Sequence, residues 1–231
     1  MLDVFNIAKP QNCDIQIFYG RKTGAIQSTN NLQNSWMKPR GVSFIYMMLI
    51  GSGGYGDGTN GGGSGAVTVW FGSAIHVPDQ LVVIPAYSSN NVGNNNPSTV
   101  SSRRASTTGN PTPTALLTAS SATTSSGASA MTANAFAASG FFQSVAGANG
   151  GTGTLSPSST TFLSGGADSA GIVQANYGYG GTIGNGYFQL QPIIVGVGGT
   201  NQAPPYEAGI GCGSGQASAP GGPGMVLIAS W

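Results

Sequence analysis

The clearest hydrophobic pattern in the chain spans residues 42–50, where a mixed polar and apolar start becomes continuously apolar up to Ile50. The run has nine residues between Gly41 and Gly51, a length that favours a strand over a helix. A continuous apolar run indicates a strand that is covered on both faces. Residues 225–229 at the end of the chain have the same character. We therefore expect these two strands to be neighbours in one sheet.

Shorter runs predict further strands. Residues 14–19 begin with polar and apolar positions in alternation and end at Gly20, as a half-buried strand would, and they predict an edge strand or an anchoring arm. Residues 65–71 and 81–84 are rich in β-forming side chains and are joined by a connection that contains Pro78 and Asp79, so the simplest interpretation is a hairpin. Residues 188–197 predict one more strand.

Between these runs the chain is polar and rich in turn-forming residues. Residues 88–113 contain clustered asparagines and three prolines, which is typical of a loop. Residues 114–140 are mainly Ala, Ser and Thr, and their alanines would permit a short helix around residues 130–138. Seven to nine strands with such loops predict an all-β fold, a jelly-roll-like β-sandwich with long glycine-rich loops. We expect an N-terminal arm or attachment segment at 1–35 and one sandwich domain at 36–231.

Glycine accounts for 39 of the 231 residues, far above its usual share of about 7%. The absence of a Gly-x-y period excludes collagen. Irregular glycine clusters can pack as tight loops or as polyproline-II-like segments lying side by side. Because the clusters directly adjoin strongly apolar strands, order is favoured over disorder.

Charge is scarce, with only 6% of residues charged against about 25% in ordinary soluble domains. A surface with so little charge suits a protein that works within an assembly, and it predicts a homo-oligomer, most plausibly a trimer. Five of the seven basic residues lie in the first forty positions, too few for a phosphate-neutralising arm, so we expect no nucleic acid partner. The chain contains neither a signal-peptide pattern nor an apolar run long enough to span a membrane, which predicts synthesis in the cytoplasm and no membrane span.

No pattern indicates catalysis, a cofactor or a metal. Residues 51–56 fit the letters G-x-G-x-x-G, but the glycine run that follows would not form the helix a dinucleotide site requires. His76 is the only histidine and has no nucleophile motif beside it, and Asp168 and Glu207 have no spacing that supports paired-carboxylate chemistry. Cys13 and Cys212 have no zinc spacing; a disulfide would need the fold to bring them together, and two unpaired thiols are the preferred interpretation.

Several motifs together resemble the glycine-rich domain of bacteriophage tail-fibre, head-fibre and other virion proteins. That pattern runs from a Trp-x-Lys-Pro-x-Gly opening through an apolar strand and glycine-rich loops to a Gly-Gly-x-Gly-hydrophobic-Trp ending. The resemblance covers residues 36–231, and its landmarks here are residues 36–41, 65–70, 77–84, 195–199 and 221–231. Residues 88–160 depart from it, because they are rich in Ser, Thr, Asn and Ala. The resemblance implies a protein located in the virion.

Aromatic and basic residues in the glycine-rich part are the candidate contact residues. Tyr177, Tyr179 and Tyr187 stand beside glycines, where a rigid ring with a hydroxyl can contact a host or partner surface at low entropic cost. Packing of these rings over the glycines is the alternative interpretation. Arg103 and Arg104 form an isolated basic pair that predicts a solvated or intersubunit patch, with an anionic receptor as the lesser alternative.

The resemblance implies a non-enzymatic virion structural protein, a surface fibre, spike or decoration subunit that contacts other virion proteins and a host surface receptor. Composition by itself predicts only an uncharged, β-rich protein of the kind found in assemblies. A capsid shell subunit with a jelly-roll fold is the first alternative. A polysaccharide depolymerase is the second.

Overall fold

A computed structural model describes residues 13–20, 33–55, 62–87, 96–103, 113–149, 151–152, 172–174, 177–179, 197–198, 210–211, 213 and 221–231. Thirteen strands and two short 3₁₀ helices, η1 and η2, lie in these ranges, and no α-helix does. In chain order they are β1 Asp14–Tyr19, β2 Asn34–Met37, β3 Phe44–Ile50, β4 Val67–Ser73, η1 Ala74–His76, β5 Gln80–Ile84, β6 Ser98–Arg103, β7 Pro113–Ala119, η2 Ala137–Ser139, β8 Phe141–Val145, β9 Gly151–Thr152, β10 Ile172–Gln174, β11 Tyr177–Tyr179, β12 Val197–Gly198 and β13 Met225–Ser230.

Two sheets form a β-sandwich. The five-stranded sheet has the order β1-β13-β3-β4-β8 and the four-stranded sheet the order β2-β5-β6-β7, all pairs being antiparallel. A third, small sheet has the order β12-β11-β10-β9, in which only β9 and β10 are parallel. The all-β sandwich is thus confirmed, whereas the jelly-roll form of its connections stays a prediction.

The main core lies between the two larger sheets. Alternate residues of β3 and β13 point into it, and they meet side chains from β2, β5, β6 and β7. Its buried members are Trp36, Ile45, Met47, Leu49, Trp70, Leu81, Val83, Val100, Leu117, Val226 and Ile228, with four alanines or valines at its margin. Trp70 also stacks on Phe136, with ring centroids 4.8 Å apart.

Strands β3 and β13 are central in the five-stranded sheet and are buried on both faces. They pair antiparallel from Ile50 opposite Met225 to Ile45 opposite Ser230, which confirms the pairing expected from their apolar runs. The second face carries its own buried cluster, made of Tyr46, Met48, Ile50, Val69, Met225, Leu227 and Ala229. Continuous apolar sequence in these two strands therefore reflects burial of both faces.

Strands β4 and β5 do not form the expected hairpin, because they belong to different sheets. Helix η1 and the residues up to Asp79 carry the chain from one sheet to the other. The Lys38 ammonium holds this crossing in place by donating to the carbonyl oxygens of Ala74 (3.2 Å) and Val77 (2.8 Å). Pro78 and Asp79 thus lie in a crossing between sheets. The sequence did not show this, because the apolar runs on either side would look the same for a hairpin turn.

Two polar stretches differ from what their sequences predict. Residues 98–103, expected in a loop, form β6, in which Ser98, Val100 and Ser101 are buried. Ser98 explains the polar character, because its buried hydroxyl donates to the Ile50 carbonyl at 2.6 Å and accepts from the Ala86 amide at 2.8 Å. The short helix expected around residues 130–138 is reduced to the 3₁₀ turn η2.

Beyond the ends of β3, β4 and β13 the glycine-rich segments continue as a hydrogen-bonded bundle, which we call the glycine bundle: residues 51–54, 62–66, 120–128, 147–148, 211 and 221–224. Gly63, Ser64, Gly65 and Ala66 donate to the carbonyls of Thr124, Ala148, Gly211 and Ser120, at 2.8–2.9 Å. Donors three residues apart thus reach the same neighbouring segment, as the three-residue turn of a polyproline II helix requires. The polyproline-II-like packing expected of the glycine clusters accounts for this pattern.

Glycine is required in the bundle because neighbouring backbones leave no space for a side chain. A Cβ atom on Gly51 would collide with the Ser120 carbonyl, and one on Gly147 with the Ser64 carbonyl. Of the described glycines only Gly41 and Gly211 have a positive φ. Close approach, and not a left-handed backbone, therefore explains most of these glycines.

Strand β1 lies inside the segment expected to be an attachment arm. It pairs with β13 along its whole length, from Asp14 opposite Ser230 to Tyr19 opposite Met225, and is an edge strand of the five-stranded sheet. The expected edge strand is therefore confirmed. The division of the chain at residue 35 stays a prediction.

Candidate functional site

The outer face of the five-stranded sheet, the face turned away from the four-stranded sheet, carries most of the exposed apolar surface. Eight large hydrophobic side chains are exposed in the described part of the chain, and six of them lie on this face. The alternation of each strand places them there, since the neighbouring positions Ile45, Trp70 and Phe142 point into the main core. The six are Ile15, Ile17, Tyr19, Phe44, Phe71 and Phe141.

One end of this face carries a group of rings that we call the aromatic corner: Phe44, Phe71, Phe141 and Trp231. The ring centroid of Phe71 lies 5.8 Å from that of Phe44 and 5.8 Å from that of Trp231, with interplanar angles of 24° and 14°. Phe141 is paired with Phe71 across β8 and β4. The three phenylalanines are between 36% and 59% exposed. The corner therefore presents a compact group of partly open rings.

Backbone hydrogen bonds fix the position of the corner. The Trp231 amide donates to the Phe44 carbonyl at 3.1 Å, and the Ser43 and Phe44 amides donate to the Trp231 carbonyl at 2.7 and 2.9 Å. These three hydrogen bonds hold Trp231 beside the start of β3. Rings held by ordered backbone contribute apolar contact area with little loss of conformational entropy on binding.

The corner can bind by dispersion and by ring-face contacts, and none of its four side chains is charged. None of its four members is titratable in the neutral range, and the adjoining outer-face positions are also uncharged. Burial raises the pKa of the neighbouring Tyr46 hydroxyl, so this group also stays neutral. The arrangement fits a partner that presents an apolar or ring-shaped surface.

A second group on the same face, which we call the edge stripe, consists of Ile15, Ile17 and Tyr19 of β1. These side chains are between 40% and 57% exposed and stand opposite Ala229, Leu227 and Met225 of β13. The middle of the face, between the edge stripe and the aromatic corner, is buried. The apolar surface is thus concentrated at two margins of one sheet.

A cleft of about 590 Å³ lies at the Trp-x-Lys-Pro-x-Gly opening and is lined by Met37, Lys38, Pro39, Arg40, Gly41, Val42, Ala74, Ile75 and Asp79. The charge of Lys38 is already engaged, because its Nζ lies 2.8 Å from the Asp79 carboxylate besides its two carbonyl contacts. Lys38 therefore serves the fold by fixing η1. This assigns a structural role to the lysine of the motif.

The candidate contact residues expected from sequence fall on other parts of the chain. Tyr177 and Tyr179 are the first and last residues of β11. Arg103 is the last residue of β6 and pairs with Pro113. Tyr187 and Arg104 lie outside the described residues. The role of all five in host or partner contact stays a prediction.

Sequence reasoning missed the aromatic corner. Phe44 lies in the mixed start of the run 42–50, for which no exposed ring was predicted, and Phe71 follows the buried Trp70 directly. The signal was present in the alternation of β4, which exposes one ring and buries the next. Only the register that sets Phe71 beside Phe141 and Trp231 turns separate rings into a surface.

The described residues contain no group of three or more His, Cys, Asp or Glu side chains able to hold a metal ion. Cys13 is a free thiol, in agreement with the preferred interpretation, and Cys212 lies outside the described residues. His76 is the last residue of η1. In the same described portion, no helix is long and apolar enough to cross a membrane.

The chain matches no protein-family model, and a comparison with curated proteins finds no match either.

Proposed function

We propose that the chain is a non-enzymatic structural protein of a virion, a surface fibre, spike or decoration subunit that makes contact through the aromatic corner. The observation that supports this most directly is the corner itself, a group of exposed rings fixed at the end of a rigid sheet. Contiguous exposed apolar surface on a folded protein marks a site of interaction. The resemblance of residues 36–231 to phage glycine-rich domains supplies the virion context.

The glycine bundle supports the same role. Loops of a surface protein must stay ordered without a large side-chain core, and here backbone hydrogen bonds between the segments serve that purpose. Small uncharged side chains such as Ser64 and Ala128 fill the remaining space. Such a body can present loops and rings at a particle surface with few side chains that attract unrelated charged molecules.

The location is tested on particles of the virus whose genome encodes this chain. Antibodies raised against the purified protein should label the outside of intact particles in electron microscopy, and quantitative mass spectrometry should find the chain in purified virions. Labelling that is seen only on disrupted particles, or absence of the chain from purified virions, would contradict the proposal. A copy number equal to that of the major shell protein would favour the capsid alternative, and release of sugar fragments from host envelope would favour the depolymerase.

The contact surface is tested with the double variant Phe44→Ser, Phe71→Ser. Two partly exposed rings contribute about 1–2 kcal/mol to the free energy of binding in a contact. Binding of the fluorescently labelled chain to host cells should therefore fall about tenfold. Ile75→Ser is the matched control, since Ile75 is 83% exposed but lies on η1 and is not one of the corner's rings. Equal binding by both variants would assign the contact to another surface, and the triple change Tyr177→Ala, Tyr179→Ala, Tyr187→Ala then tests the tyrosines.

A further inference from the structure

Strand β1 leaves one edge of the five-stranded sheet open. Among the described strands it pairs only with β13, and none of them pairs with its other side. Its six residues contain neither proline nor lysine, and the only charge is Asp14 at its first position. An edge of this kind is a template for a further strand.

The hydrogen-bond alternation shows which backbone groups are available. The Gly20 amide donates to the Gly224 carbonyl at 2.8 Å, in register with the β1–β13 pairing. Residues two apart in an antiparallel ladder point the same way, so Asp14, Gln16 and Phe18 also face β13. The amides and carbonyls of the three edge-stripe residues therefore point away from the sheet, toward the open side.

The edges of the four-stranded sheet differ from this one. Strand β2 has four residues and is followed directly by Lys38 and Pro39. Strand β7 begins with Pro113, and its pairing with β6 is interrupted by a bulge after Val100. Short strands, proline, lysine and bulges are the features that prevent pairing between sheet edges. Strand β1 has none of them.

We propose that β1 pairs antiparallel with β1 of a second copy of this chain, around a twofold axis at Ile17, so that the two five-stranded sheets become one continuous sheet. In this register Ile17 stands opposite its own copy, and Ile15 stands opposite Tyr19 of the second copy. Each of these positions is one whose backbone groups point to the open side. The pairing thus uses every available amide and carbonyl of the edge stripe.

The proposed register also places the outer faces of the two copies on the same side of the joined sheet. Directly opposite residues of an antiparallel pair project on the same side of the sheet. Pairing Ile15 with Tyr19 therefore brings both edge stripes to the outer face, where their side chains cover one another. A shift by one residue would set the outer face of one copy beside the inner face of the other and leave both stripes exposed.

The charge pattern favours a second copy of the chain as the occupant. A twofold contact places each group near its own copy, so any charge close to the axis meets a like charge. The edge stripe has no charge, and Asp14 lies three residues from Ile17, which puts the two aspartates at opposite ends of the paired strands. A charged partner strand would find a complementary group only at Asp14, at one end of β1.

Sedimentation velocity of the full chain, from about 1 to 100 µM, tests the pairing by mass action. We expect a species of twice the 23.0 kDa chain mass. Ile17→Lys sets two ammonium groups face to face, so the dissociation constant should rise about a hundredfold or more. Ile75→Lys adds the same charge at an exposed position away from β1 and should leave the dimer intact.

An equimolar mixture of Ile17→Lys and Ile17→Glu should restore the dimer, because opposite charges then meet at the axis. Tyr19→Lys serves as a second disrupting variant at a more exposed position should Ile17→Lys fail to fold, as judged by circular dichroism. A monomer throughout the concentration range, or a trimer that Ile17→Lys leaves unchanged, would overturn the proposal. The measurement uses the isolated chain, so its outcome is independent of the proposed virion role.

Discussion

The sandwich and the glycine bundle are built on opposite principles, although the chain passes directly from the strands of one into the segments of the other. In the sandwich large side chains such as Trp36, Trp70 and Leu81 fill the space between sheets that carry their own hydrogen bonds. In the bundle the segments are so close that backbone meets backbone, and no side chain fits at glycines such as Gly51 and Gly147. The sandwich is thus stabilised by apolar burial, and the bundle by hydrogen bonds between neighbouring chains.

The change from one principle to the other is gradual along the strands. Past the large core residues comes Thr68, whose hydroxyl donates to the Thr118 carbonyl at 2.7 Å, and then a cluster of three buried alanines, Ala66, Ala122 and Ala128. Glycine follows at positions 62, 63 and 65. Side-chain size therefore falls as the distance between segments falls. Removing side-chain volume should destabilise the sandwich, and adding volume should destabilise the bundle.

The largest effect should follow from removing residues 225–231, because β13 joins the two regions. It leaves the bundle at Gly224 and then pairs with both β1 and β3. Its loss opens the main core and the second cluster together, and we expect insoluble or unfolded protein. Solubility and the circular dichroism spectrum measure this. A soluble, folded truncation would show that the sandwich does not need its central strand.

In the sandwich, removing side-chain volume should be costly. Leu81→Ala deletes a fully buried side chain of β5 and should lower the free energy of unfolding by about 2–5 kcal/mol. Ile75→Ala, at an exposed position, should change it by less than about 0.5 kcal/mol. Urea denaturation of both variants gives the comparison. Equal small losses would mean that the core can close around the cavity.

In the bundle, adding a single methyl group should be costly. Gly51→Ala drives a Cβ atom against the Ser120 carbonyl and should lower the free energy of unfolding by about 1–3 kcal/mol. The matched control is Gly41→Ala, where nothing lies within 4 Å but φ is +81°, so only the backbone strain of about 1 kcal/mol applies. A cost at Gly51 no larger than that at Gly41 would show that the segments can separate without loss.

The smallest effect concerns pH. Burial raises the pKa of Tyr46, so the folded protein favours the neutral phenol, and the unfolded chain ionises first as the pH rises. Stability is fully present below the unfolded value of about 10 and should fall by about 1.4 kcal/mol for each pH unit above it. Chemical denaturation between about pH 9 and 11 measures the slope. Tyr46→Phe should be less dependent on pH, and an unchanged slope would assign the titration to other groups.

Sequence patterns predicted the parts of the fold that depend on one strand at a time. The apolar runs at 42–50 and 225–229 indicated two-sided burial correctly, and alternation in residues 14–19 indicated an edge strand. The hairpin predicted around Pro78 was wrong, because a short connection does not show which sheet receives the next strand. The aromatic corner was missed because rings from three strands and from Trp231, the residue after β13, meet only once register is known.

Donors in the glycine bundle repeat every three residues, so the position of an amide within its segment determines which neighbouring segment it reaches. An insertion of three residues would turn the chain once and return every later amide to its former neighbour, whereas one or two residues would rotate all later amides by a third of a turn. Gly63 and Ala66, which both donate to the segment 120–124, show this spacing directly. Relatives of this protein that vary in loop length should therefore differ by multiples of three within the bundle, and freely elsewhere.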